Sequence, residues 1–295
     1  MNRFFLMTVI LIALISCSTK KETSELIPLI ELSKFPVYKD IDQLPSSLDS
    51  VYRLNLSESQ LTHLPEIVFK LANLQELNIS LNHLSDLKGI SSLKSLQILN
   101  IGMNDFNSFP NELTELRHLK NLALWWNDIE TFPNDFFENN TEIEQLDMTS
   151  MFEFDFETNL SKIHNFNNLR HLNLGNNQIP NLTIQFDKMN NLEVFGYIRQ
   201  DSINLKELCL KLSACKNLKT VHFSVNNITK LPSEITLLEN LEVLNLYQNK
   251  IKVLPADIVN MKNLKKIYLS DNPIDIVKIK DIEKRMPQTI FVYDE

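Results

Sequence analysis

The chain has 295 residues, 43% of them apolar, and a formal net charge of −8. That balance, with no Lys/Arg cluster, excludes a general nucleic-acid binder, because a phosphate backbone requires a basic strip. Only four glycines occur, and none forms a glycine-rich phosphate loop.

At the N-terminus, Arg3 precedes an apolar run from Phe4 to Ile15, followed by Ser16 and Cys17. The run reads as an export signal, too short to span a bilayer as a stable helix. Leu14-Ile15-Ser16-Cys17 resembles the bacterial lipobox. The resemblance implies that residues 1–16 are removed and that Cys17 becomes the lipid-modified first residue. Two or more acyl chains would anchor it stably, whereas one would be marginal. Residues 17–27 then form the lipidated cysteine and a polar tether. The implied address is the outside of a bacterial membrane, on the periplasmic or surface side of an outer membrane. The alternative is an ordinary secretory signal in which Cys17 is only the last apolar residue.

Residues 28–50 precede the first repeat and suit a cap. Ile41, Leu44 and Leu48 have helical spacing, so a helix is expected over 38–48.

From Val51 onward one pattern returns. It runs apolar, two free positions, apolar, one free, apolar, two free, then usually Asn. The copies start at Val51, Leu74, Leu96, Leu119, Ile143, Leu169, Leu192, Leu218, Leu241 and Leu264, at steps of 22 to 26 residues. The fourth and sixth positions alternate with a free one, the period of a short strand. Thus Leu77 and Ile79 point inward and Asn78 outward. A single strand cannot bury its apolar face, but stacked copies share a continuous core. Leu54, Leu77, Leu99, Leu122, Leu146, Leu172, Leu244 and Ile267 are the expected core. Asn82, Asn104, Asn127, Asn177, Asn226, Asn249 and Asn272 occupy the ninth position, where a side chain with both donor and acceptor can satisfy bent backbone. Leu64-Pro65, Phe109-Pro110, Phe132-Pro133, Leu231-Pro232 and Leu254-Pro255 mark the turn away from the strand. Beyond them, spacings such as Ile235 to Leu238 suggest a short helical turn.

The period and the L-x-x-L-x-L-x-x-N pattern resemble the leucine-rich repeat family across residues 51–277. The resemblance implies an α/β right-handed horseshoe solenoid, with a concave parallel sheet and short helices or turns on the convex side. It also implies that the Asn residues form a buried structural ladder. Residues 278–295 would cap the far end. Ile276, Ile279, Ile282 and Met286 form a helical stripe ended by Pro287, and Thr289 to Tyr293 reads as a closing strand or extended tail.

Cys215 stands where other repeats place Leu or Met, and reads as a small buried hydrophobe. Cys209 lies six residues earlier in a helical run, a spacing that does not suit a disulfide.

The copies starting at Ile143 and Leu192 are 26 residues long. In the first, Met151 replaces Asn and Phe152-Glu153-Phe154-Asp155-Phe156-Glu157 follows. In the second, Gln200 replaces it. Extra residues can map to a binding loop. The favoured alternative is drift in a turn, with phenylalanines filling a wider core and the Phe/acid alternation read as half-buried strand.

Function is expected on the outward positions. At the eighth position, Leu81, Met103 and Trp126 should form an apolar ladder, with Ile98 nearby. At the seventh stand Trp125 and Tyr247. Contiguous exposed apolar surface marks a contact site, and Trp is enriched at hot spots. The partner-binding candidates are therefore Trp125, Trp126, Met103, Leu81, Ile98 and Tyr247. A competing reading has both indoles lying flat across neighbouring repeats as structural elements. Basic outward residues such as Lys120, Arg170 and Lys219 are balanced by acidic ones such as Glu144, Glu193 and Glu242. A neutral mixed face suits a protein partner better than a polyanion.

The expected function is a non-enzymatic protein-binding module, lipid-anchored, with its partner on the concave face. The alternative is a cell-envelope glycan binder that stacks sugar on Trp125 and Trp126, with outward Asn78, Asn100, Asn173 and Asn245 to bond it. His171 and His222 face outward without a Ser or Cys in any catalytic motif, so no catalytic residue, metal or cofactor is expected.

Overall fold

The computed structural model describes residues 26–179, 181–200 and 203–294. The expected leader, Cys17 and all but the last two residues of the tether lie outside the described residues.

Among the described residues, twelve short strands pair in sequence order into one parallel sheet. Strand β1 is Val37–Tyr38. The ten repeats supply β2 (Arg53–Asn55), β3 (Glu76–Asn78), β4 (Ile98–Asn100), β5 (Asn121–Ala123) and β6 (Gln145–Asp147). They continue with β7 (His171–Asn173), β8 (Val194–Gly196), β9 (Thr220–His222), β10 (Val243–Asn245) and β11 (Lys266–Tyr268). Strand β12 is Ile290–Val292. Each repeat thus contributes one strand, centred on its fourth position. Cross-strand partners preserve that register, with Leu54 opposite Leu77, Leu77 opposite Leu99, and Leu99 opposite Leu122. All eight expected core positions are buried. The fold is a leucine-rich repeat solenoid with an open sheet, as the spacing predicts.

The ninth-position amides hold neighbouring repeats together. Asn249 Nδ2 donates to Phe223 O of the preceding repeat and Leu246 O of its own, both at 2.9 Å. Its Oδ1 accepts from Asn226 N and Ile228 N, both at 3.0 Å. Asn104 does likewise with Ile79 O, Ile101 O and Leu84 N. Gln200 performs the same task with a longer side chain, donating to Leu174 O (3.0 Å) and accepting from Ile179 N (3.2 Å). Met151 is buried and supplies no such rung.

One residue earlier, every repeat turns through the left-handed region. Glu58, Leu81, Met103, Trp126, Ser150, Asn176, Arg199, Val225, Gln248 and Asp271 have φ between 52° and 61°. That conformation is costly for a residue with a Cβ. It is enforced from outside the turn. Leu81 N–H donates to Gly102 O (2.9 Å), Met103 to Trp125 O (2.7 Å) and Trp126 to Thr149 O (2.9 Å), each in the next repeat.

The convex side depends on repeat length. Standard repeats hold only 3-10 turns, such as Ser233–Leu237 and Ala256–Asn260. Prolines open three of these turns and one α-helix. Pro110, Pro133, Pro232 and Pro255 have φ near −65° and precede the first helical residue, and their carbonyls accept the first helical bonds. A short helix α1 (Leu29–Leu32) lies before the repeats. The longer repeats fit true α-helices: α2 (Asn134–Asn139), α3 (Phe156–Leu160) and α4 (Leu205–Leu212). Between them Phe109, Phe132, Phe136, Phe137 and Phe166 pack with ring centroids 4.7–6.2 Å apart.

Two local expectations fail. Residues 38–48 do not form a helix. Asp40 caps a 3-10 turn at Ile41–Gln43, and Leu44, which precedes Pro45, is forced extended (ψ 144°). Residues 152–157 do not form a half-buried strand either. Phe154 is buried in a turn, and Asp155 accepts from Thr158 N (3.1 Å) to start α3, which places Phe156 in its first turn. The alternation came from a turn running into a helix.

At the C-terminus, α5 (Ile276–Arg285) buries Ile279 and Ile282, and Met286 closes the core behind it. Strand β12 completes the sheet against β11. At the other end, Ile27 is pinned to the entries of β3 and β4. Its N–H donates to Gln75 Oε1 (2.9 Å), and Gln97 Nε2 donates to its carbonyl (2.7 Å).

Candidate binding face

The open face of the sheet presents positions three, five and seven of each repeat. Between β4 and β9 it curves around a groove of about 460 Å³. Position three supplies Ile98, Asn121, Gln145, His171 and Val194. Position five supplies Asn100, Ala123, Asp147, Asn173, Gly196 and His222. Ala123 and Gly196 deepen the floor. A Cβ added at Gly196 would lie 2.7 Å from Asn173 Oδ1, so the glycine is what lets that amide lean across.

Many fifth-position side chains are also committed to the backbone. Asn78 Oδ1 accepts from Ser80 N (3.0 Å), Asn100 from Gly102 N (2.9 Å), Asn173 from Gly175 N (3.2 Å) and Asn245 from Tyr247 N (3.0 Å). Asp147 Oδ1 takes Thr149 N (3.0 Å) and its hydroxyl (2.6 Å). These bonds start the bend that follows each strand.

Two imidazoles stand in the groove. Burial pulls the His171 pKa below its ordinary value, with Glu193 and Glu144 opposing and Arg170 reinforcing. Burial alone lowers His222. Asn245 Nδ2 donates to His222 Nδ1 (3.3 Å), leaving its ring proton on Nε2. Both rings are neutral near pH 7 and can donate or accept hydrogen bonds.

The six candidate contact residues divide into three places. Ile98 is half-buried in the groove wall. Trp125 is also half-buried. Its indole lies directly over Gly102 in the preceding repeat, so that a Cβ there would sit 2.2 Å from the ring. Leu81, Met103 and Trp126 line up on the left-handed ridge bordering the sheet. Leu81 is half-buried, Met103 is 41% exposed and Trp126 is 53% exposed. Tyr247 is 41% exposed near the C-terminal end, outside the groove lining. Its hydrogen bond to Asp271 raises the phenol pKa. Reading residues alone missed Phe152, which is 52% exposed and meets Trp126 edge to face at 6.5 Å. It also missed the groove's depth, although the small residues at two fifth positions signalled it.

Cys209 and Cys215 are free and buried, and burial pushes both thiols up to about 12. Among the described residues no cluster of His, Cys, Asp and Glu could hold a metal, and no helix is long and apolar enough to cross a membrane.

The fold and its open face define a leucine-rich repeat solenoid. The sequence profile of the Leucine rich repeat family matches residues 49–106 and 216–274. No curated protein matches the chain. Among solved structures, an internalin from Listeria monocytogenes is similar, with 22% identity and a TM-score of 0.63 over 83% of this chain and 67% of the internalin. A plant peptide hormone receptor, solved in complex with RGF2, matches at 22% identity and a TM-score of 0.51. That match covers 82% of this chain but 39% of the receptor. At these identities the likeness concerns the fold alone. Leucine-rich repeat proteins are generally protein-interaction modules.

Proposed function

We propose that the chain is a non-enzymatic interaction module, exported and held at a bacterial membrane by lipid on Cys17, with a protein partner on the concave face. The observation that carries this reading is the groove between β4 and β9, bordered by the exposed Met103–Trp126 ridge. It joins half-buried apolar walls to amides, neutral imidazoles and one carboxylate, the mixture of a protein-contact surface. Partner contacts are assigned to Ile98 and Trp125 in the face and to Leu81, Met103 and Trp126 on the ridge, with Tyr247 as an outlying contact. The glycan alternative is less favoured. Trp125 has one ring face covered by Gly102, and the fifth-position amide oxygens are already engaged.

Immobilised protein should retain a partner from cell-envelope extract, and Trp126→Ala should weaken retention by about 2 kcal/mol while leaving the melting temperature nearly unchanged. Retention of saccharide alone, or of a protein indifferent to Trp126, would reject the site. For the anchor, labelled palmitate should enter the wild type and not Cys17→Ser. Equal labelling would reject it.

A further inference from the structure

Among the described residues, the edge of the solenoid beyond the ridge carries two separate blocks of charge, with Asp105 before the first and Asp275 after the second. Residues just after the ninth position stack there in register. Asp128 N–H donates to Phe106 O (2.9 Å), Asp155 to Glu130 O (2.8 Å), Lys250 to Ile228 O (2.8 Å) and Asp275 to Lys252 O (2.8 Å). Over the fourth and fifth repeats this edge presents Asp128, Glu130, Glu153 and Asp155, all exposed. Over the eighth and ninth it presents Lys230, Lys250 and Lys252, also exposed. Among the described residues none of these forms a salt bridge. Each block includes exposed apolar area, Phe152 in the acidic one and Val253 in the basic one.

We propose that this edge is a homodimer interface, on which a second copy of the chain sets its lysine block against the first copy's acidic block. A two-fold axis crossing the edge between the sixth and seventh repeats carries the fourth repeat onto the ninth and the fifth onto the eighth. The acid–lysine contact is then made twice, as an isologous interface requires. A foreign partner would need the same two blocks in reverse order, whereas the chain's own rotated copy has them already. The net charge of −8 opposes association only weakly, because charges beyond about 8 Å are screened at physiological ionic strength. Edge-to-edge pairing leaves the concave groove open, so this inference stands or falls separately from the proposed partner site.

Sedimentation velocity of the full chain, in one detergent throughout, tests it over a concentration series. The chain should populate a dimer that weakens as salt is raised. Asp128→Lys with Glu130→Lys, and separately Lys250→Glu with Lys252→Glu, should each weaken it at least about tenfold, since both place like charges together. An equimolar mixture of the two variants should restore dimer, because each reversed block then meets its opposite. Unchanged melting temperatures establish that the exposed substitutions leave the fold intact. A chain that is monomeric at every concentration, a dimer indifferent to both reversals, or a mixture that stays monomeric overturns the proposal.

Discussion

The repeats from residue 216 to 274 and those from 119 to 215 are built on the same strand but differ elsewhere. The first set keeps near-constant length, an Asn rung in each repeat and 3-10 turns behind the sheet, and the family profile matches it. The second set lies outside the matched segments. It has long repeats, a Met and a Gln in the Asn position, α-helices and a phenylalanine core. Yet register across β5 to β9 is unbroken. The ladder of backbone bonds tolerates change on the convex side so long as the inward leucines and the bend persist. Most of the groove floor, and Trp125, Trp126 and Phe152, fall in this irregular middle. The departures from the repeat pattern lie beside the surface we assign to binding.

If the middle is as well packed as the regular end, its core should cost as much to empty. Phe136→Ala should destabilise by about 3–5 kcal/mol, against about 2–5 kcal/mol for Leu244→Ala, measured by denaturant unfolding. A Phe136 cost under about 1 kcal/mol would mean that the wider core is loose.

The rungs offer a second contrast. Gln200→Ala and Asn249→Ala should each cost about 1–3 kcal/mol, since both leave buried backbone groups unpaired. A nearly silent Gln200→Ala would show that the longer side chain only fills space.

Trp125 and Gly102 sharpen the comparison at a single contact. Gly102→Ala should cost about 1–3 kcal/mol, because the new methyl group would collide with the indole. In a Trp125→Ala background most of that cost should vanish, which a double-mutant cycle would show as coupling. Additive effects would place the indole elsewhere in solution.

Acidification provides the mildest test. His171 and His222 resist protonation when folded, whereas in the unfolded chain they titrate near 6.5. Their contribution is therefore complete above about pH 6.5 and is lost as pH falls from there through the lowered folded values. Melting temperature should drop across that window, and His171→Gln with His222→Gln should flatten the drop. An unchanged slope in the double variant would place the rings in water.

The strands were legible in the sequence because a period-2 core inside a fixed repeat leaves one register that buries every leucine. The same logic made Cys215 readable as core. The left-handed ridge was not legible. Leu81, Trp126 and Val225 show no preference for that conformation, which is imposed by a carbonyl one repeat away. The N-terminal helix was over-read because Pro45 weighs more than the spacing of Ile41, Leu44 and Leu48. The phenylalanine alternation misled because Asp155 is a cap, a role visible only once Thr158 is placed. As for the candidate site, exposure of Trp126 and Met103 could be anticipated from free positions in the pattern. The covering of Trp125 depended on Gly102, 23 residues away, having no side chain.

The central claim is that the irregular middle of the concave face receives the partner. Hydrogen exchange of the chain with and without the partner retained from envelope extract tests it directly. The account predicts new protection across β4 to β9 and along the Met103–Trp126 ridge, weaker protection around Tyr247, and β11 and β12 unchanged. Protection confined to the Tyr247–Lys266 end, or to the convex helices, would contradict it.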